Sequence, residues 1–313
     1  MRAESTLCTA AVRRGTRHLG GLAGMRGFTL IELVLVIVIG SALAATLVVF
    51  MRPALQGYLA TRARADLVEQ ADTALRRMAR DVRAAVPNSI RQPDSRCFEL
   101  LPSSAGGRYR MEPDTVNDSA PDCTPGPTCS APLDTTQATT VFDVLGPLAV
   151  TPAAGDAVVV GNQVPGQVYG GSNRATVTAT STPAPAYGRL RIAVTSTQFP
   201  NGYDGGRFLV VPAAQGPVFY VCDGADGSTD AQGNGRGRLM RLMGYGYNAA
   251  YPASCPDTAA GHLLASQVLS CQFVYDPNQG ATQQNGFVWL QIVLARGGEQ
   301  ITLAYGAHVD NAP

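Results

Sequence analysis

Side chains able to do chemistry are sparse in this 313-residue chain, and the most pointed of them is an acid where acids are rare. Residues 28–51 carry no charge except Glu32. At roughly 1.5 Å rise per residue, such a run is long enough as a helix to cross a hydrocarbon core of about 30 Å. An unpaired carboxylate at that depth costs about 2.5 kcal/mol or more, so it calls for a partner and marks a functional site. Elsewhere the pattern speaks against catalysis. The sequence lacks G-x-S-x-G, H-E-x-x-H, a Walker loop and a dinucleotide fingerprint, and His262 and His308 stand alone, so no enzymatic activity and no cofactor is expected. The run from Asp223 through Asp226 to Asp230 offers oxygen ligands for calcium but misses the EF-hand pattern, and reads better as a Gly/Asp turn. No C-x-x-C occurs and neither histidine has a partner at zinc-ligand spacing, so no metal site is expected.

Gly27-Phe28-Thr29-Leu30-Ile31-Glu32, with Arg26 just before them, resemble the cleavage and methylation motif of type IV prepilins and type II secretion pseudopilins. The resemblance implies a cut between Gly27 and Phe28 by a prepilin peptidase, N-methylation of Phe28, and Glu32 as the acid five residues into the mature chain. It implies further partners: other major and minor pilins and an inner-membrane assembly platform. The chain would sit in the bacterial inner membrane as a single-pass protein with an exported C-terminal domain, then enter a pilus. The physical logic agrees. A new N-terminal ammonium in an apolar setting needs a counter-ion, and the carboxylate of a neighbouring subunit supplies one, so that each buried charge satisfies the other. A small residue before the scissile bond suits a protease that holds the backbone closely.

Two other readings of the segment stand beside this one. Arg2, Arg13, Arg14, Arg17 and Arg26 form a basic n-region, and Ala42-Leu43-Ala44 resembles the cleavage site of an ordinary secretory signal, which would release a soluble binding protein after Ala44. The apolar run continues past that site through Phe50 and contains an acid, which opposes this reading. An uncleaved anchor would share the orientation of the prepilin, with the basic leader inside. Residues 1–27 are taken as the leader, with Met25 as an alternative start, and are excluded from fold reasoning.

Net charge is +1, which gives no reason to expect nucleic acid as a partner. Charged residues make up 15% against 34 Gly and 21 Pro, a balance that favours turn-rich β structure. All basic residues are arginine. Of seven cysteines, the cut removes Cys8 and leaves six on the side of the membrane where disulfides persist. Cys123 and Cys129 enclose a short Thr-Pro-Gly-Pro-Thr segment and form the favoured pair. Cys222 with Cys255 would clamp a Gly-rich stretch, leaving Cys97 with Cys271, although six cysteines admit many connectivities.

The elements that position these groups follow from periodicity. After the membrane segment, Leu55, Leu59, Ala63, Leu67, Ala71, Leu75, Met78, Val82 and Val86 recur every three or four residues, the stripe of an amphipathic helix over 52–87. Pro53 is expected to bend or loosen it, and Pro87-Asn88 to end it. The charges between, including Arg64, Asp66, Asp72, Arg76 and Asp81, read as a solvated or subunit-facing surface with Asp72 and Arg76 paired at i,i+4. From 88 to 313 the pattern becomes β-rich. Strands are expected at 97–101, 108–111, 140–145, 156–161, 174–179, 188–194, 207–211, 218–222, 238–242, 270–275, 286–294 and 300–308, the last two as a hairpin, with 112–139 a surface loop. The expected class is α+β: a long N-terminal pilin helix, with a membrane half and an amphipathic half, packed on a C-terminal antiparallel β-rich domain. Residues 84–91, 97–102, 106–110, 238–246 and 271–277 resemble the biogenesis-type minor pilins of mannose-sensitive haemagglutinin pili, which implies a subunit that primes or caps a filament.

Overall fold

The computed structural model describes residues 27–201, 205–279 and 285–311. Residues 1–26, with Cys8 and Met25, lie outside the described residues. The chain divides between Gln56 and Gly57 into two compact units, and helix α1 (Leu30–Arg83) contributes to both.

In the first unit every described residue is exposed. Its hydroxyls are satisfied within the helix: Ser41 donates to the Val38 carbonyl at 3.0 Å and Thr46 to that of Leu43 at 2.8 Å. Such back-bonding satisfies these two hydroxyls without water, as a helix in lipid requires. Pro53 does not interrupt α1. A proline removes one amide donor, and the bonds on either side carry the helix past it.

In the second unit, α1 lays Leu67, Ala71, Leu75, Met78 and Val82 on a seven-stranded antiparallel sheet. The sheet is built from β1 (Arg91–Asp94), β2 (Cys97–Leu100), β9 (Val218–Asp223), β10 (Gly237–Met243), β11 (His262–Gln279), β12 (Asn285–Arg296) and β13 (Glu299–Asp310), in that spatial order. Alternation along β12 sends Val288, Leu290, Ile292 and Leu294 into the core against the helix. Two members of the expected stripe do not take part. Leu55 and Leu59 are more than half exposed, and burial begins in earnest at Leu67. Arg64 and Arg76 stay exposed as expected, but several helix charges also reach partners on the sheet. Arg64 pairs with Glu299 at 2.5 Å, Asp72 accepts from Tyr305 as well as pairing with Arg76, and Asp81 receives Arg241 at 3.0 Å and the Tyr220 hydroxyl at 2.6 Å. Neighbours of the apolar stripe reach across its edge to polar partners at the rim.

The sequence between β2 and β9 is an insertion, because those two strands pair directly, Cys97 with Val221 and Leu100 with Val218. It forms a second sheet of β3 (Ala105–Arg108), β8 (Arg207–Val211), β5 (Ala157–Val159), β6 (Arg174–Ser181), β7 (Leu190–Thr197) and β4 (Thr139–Val144), in that order. The sheet closes on itself. Tyr109 bridges Val144, Leu145 N–H donates to the Arg108 carbonyl at 3.0 Å, and Arg110 N–H donates to that of Asp143 at 2.8 Å. A small barrel results, filled by Phe142, Phe208, Ile192, Val158 and Val210 among others. A short helix α2 (Pro165–Gly170) links β5 to β6.

Candidate functional site

Gly27, Phe28 and Thr29 precede the helix, so the junction at 27–28 lies outside it, directly ahead of the first turn. Thr29 caps that turn. Its Oγ1 accepts the Glu32 N–H at 3.3 Å, and its carbonyl accepts the Leu33 N–H at 3.1 Å. Thr-x-x-Glu before an apolar run is the capping-box signature, a signal that sequence reading passed over by starting the helix at Phe28. Glu32 therefore occupies the first turn, where a negative charge also complements the helix dipole. Phe28 and Leu30 are 79% and 82% exposed, and every apolar side chain from there to Met51 is uncovered. The helix is long and apolar enough to be a membrane anchor or a signal sequence.

The six cysteines of the second unit are all bridged: Cys97 to Cys255, Cys123 to Cys129 and Cys222 to Cys271. The expected short-loop pair is present, while the two longer pairs, Cys222–Cys255 and Cys97–Cys271, are exchanged. Strand alternation supplies the reason. Cys97 and Cys255 pack with Phe219, Val221, Met240 and Leu242, whereas Cys222 and Cys271 pack in the core under α1. Either expected long pair would have had to join these two separate clusters. The expected loop is without named strands from 112 to 138, β4 beginning at Thr139, and it is tied down from the barrel. Arg191 of β7 grips Asp143 of β4 with two bonds of 2.6 and 2.9 Å, and donates to the Gly126 and Cys129 carbonyls at 2.7 and 2.9 Å. Asp143 in turn accepts the Ala131 N–H at 2.7 Å.

The remaining candidates are committed to structure. Asp226 accepts from Ser228, and Asp230 from Gln232 and Asn234, so their carboxylates close turns, while Asp223 binds Arg238 and Thr258. Those bonds hold all three carboxyls below the usual range, the Asp223 carboxyl first through Thr258 and then Arg238. His308 lies against the Phe287 ring at 5.0 Å between centroids. Among the described residues no three His, Cys, Asp or Glu side chains converge as a metal site would require. Arg91 and Glu99 form a buried ion pair at 2.6 Å, with Arg91 stacked 3.4 Å over Tyr169 and donating to the Asn248 and Ala250 carbonyls. This cluster joins the sheet to α2 and to the strand-free segment after β10, a structural role. Comparison with protein-family models, curated proteins and solved structures finds no match to the chain.

Proposed function

We propose that this chain is a minor pilin of a type IV pilus, most similar to the MshO subunit of MSHA pili, processed by prepilin peptidase and acting in assembly as an initiator or tip-complex subunit. The observation that carries this reading is the Gly27-Phe28 junction set directly before an exposed apolar stretch, residues 28–51, whose single charge is Glu32. The exported unit supports it. A β-rich domain carrying three disulfides suits an oxidising compartment, and the lower part of α1 forms part of its core. On this reading the chain has no reaction of its own. Its partners are the peptidase, the assembly platform and other pilins, and Glu32 neutralises the methylated amine of a neighbouring Phe28. A minor pseudopilin of type II secretion would use the same features.

The deciding experiment is mass spectrometry of the mature N-terminus from membranes of the native host. The expected peptide begins with N-methylated Phe28, and Gly27→Leu leaves the full leader in place. A mature chain beginning at Ala45 would overturn the assignment in favour of a secreted protein.

A further inference from the structure

On the barrel's outer side, Ala157, Val159, Leu209 and Val211 pack with Val86, just past the end of α1, and with Tyr169 of α2. At one end of this core the packing opens into a cleft of about 310 Å³. There β3 reads Gly106-Gly107-Arg108, and its pairing with β8 sets Gly106 beside Leu209 and Arg108 beside Arg207. Gly106 leaves Leu209 uncovered, since a Cβ at that position would lie 2.6 Å from Leu209 Cδ2. Arg108 and Arg207 line the same cleft and are exposed. Like charges directly opposite one another in an antiparallel pair cost stability, on the order of a few tenths of a kcal/mol. Among the described residues neither arginine forms an ion pair, whereas Arg64, Arg191 and Arg241 of the same unit each do.

We propose that this cleft binds the C-terminal residue of a peptide chain, with its carboxylate on Arg108 and Arg207 and its apolar side chain against Val86, Val159 and Leu209. Two guanidinium groups at adjacent cross-strand positions offer several donors to one anion, and an anion between them relieves their repulsion. The apolar floor selects the side chain. The walls add the bare backbone of Gly106 and Gly161, polar groups that suit a peptide amide better than a plain hydrocarbon tail. The volume falls at the lower end of the range for ligand sites, about 300–1,000 Å³, enough for a residue or two. The filament reading is not needed here, because a chain cleaved elsewhere would carry the same cleft.

The test uses full-chain protein in detergent and ligand-observed saturation-transfer NMR, with micelles alone as the blank. The probes are N-acetyl-leucine, N-acetyl-leucinamide and octanoate. N-acetyl-leucine is expected to bind about ten-fold more tightly than its amide, the size of effect expected for charge-assisted bonds to one carboxylate. Arg108→Gln and Arg207→Gln are each expected to reduce that difference, and the double variant to abolish it. Neither single variant should lower the thermal midpoint, since each removes a repulsion. Gly106→Val should block all binding by filling the cleft, and the arginine variants keep the test sound if that crowding disturbs β3. Equal binding of acid and amide, wild-type binding by both arginine variants, or no transfer to N-acetyl-leucine at millimolar concentration would each overturn the proposal. Binding of octanoate alone would also overturn it, assigning the cleft to an acyl chain.

Discussion

Glu32 occupies the third position of a helix capped by Thr29, so a local role at the helix end competes with the proposed pairing to a neighbour's amine. An exposed acid in a first turn contributes about 0.3–1 kcal/mol through the helix dipole. A carboxylate facing a neighbour's ammonium in an apolar bundle is worth more, and its loss leaves that ammonium without a counter-ion. Glu32→Gln separates the two, because glutamine still suits the third position of a capping box but carries no charge. Both Glu32→Gln and Glu32→Val are expected to be cleaved after Gly27 and to stay in the membrane, yet to be missing from sheared filaments on immunoblots. Normal incorporation of the glutamine variant would confine Glu32 to the helix end. The acid was legible in sequence because it is the lone charge in an apolar run. Thr29 was legible too, through Thr-x-x-Glu, but the apolar run begins ahead of it at Phe28 and draws the helix start there. Arg191 and Asp143, 48 residues apart, gave no sequence signal at all. Asp143 is fully buried in their pair, so Arg191→Leu should destabilise the second unit by about 3–5 kcal/mol in denaturant unfolding, through an uncompensated charge.

At the level of elements, period decided what could be read. The strand expected at 207–211 coincides with β8, and the closing hairpin of β12 and β13 is where alternation and Gly297-Gly298 put it. By contrast β1 carries Pro93 and was missed, and β3 lies at 105–108, a few residues before its expected place, because two of its four residues are glycines without a side-chain pattern. The closed barrel was out of reach, for its closure depends on Tyr109 meeting Val144 across the sequence. Disulfide pairing failed for the same reason: local spacing identifies Cys123–Cys129, whereas the other pairs are set by which face of a strand each cysteine occupies. Non-reducing peptide mapping should recover Cys97 linked to Cys255 and Cys222 to Cys271. Joint replacement of Cys222 and Cys271 by serine should cost about 2–5 kcal/mol if this domain behaves like small secreted ones. The loop at 112–139 also carries a pH signature. The Asp114 carboxyl is held below its ordinary range by Asn117, and that of Asp134 by Thr136. A depressed folded-state pKa gives stability that is present above the unfolded value, about 3.9, and is lost as pH falls through the folded value. Hydrogen exchange in this loop should therefore rise below about pH 4, relative to exchange corrected for intrinsic rate, and be flat between about pH 5 and 7.

For the whole molecule, the inserted barrel bears on where such a subunit can stand. Compact-domain scaling for residues 86–313 gives a radius of gyration of roughly 17 Å, while a helix with its side chains is only about 10–12 Å thick. If the proposed filament is a bundle of apolar helices such as 28–51, copies of this chain at successive positions would crowd one another's exported units. A terminal position leaves one side free. The insertion between β2 and β9 sharpens this, because it enlarges the unit without lengthening the face that α1 buries. Quantitative mass spectrometry of sheared filaments should accordingly find this chain far below the main subunit, and antibodies against the barrel should mark filament ends. Removing the barrel by joining β2 to β9 tests the same point from the other side, since those strands already pair and a short turn suffices to connect them. That shortened chain should still be processed at Gly27 and remain in the membrane, and its exclusion from the shaft should weaken. Dense antibody labelling of the intact chain along whole filaments, at a stoichiometry near that of the main subunit, would make it a principal structural pilin and remove the initiator role.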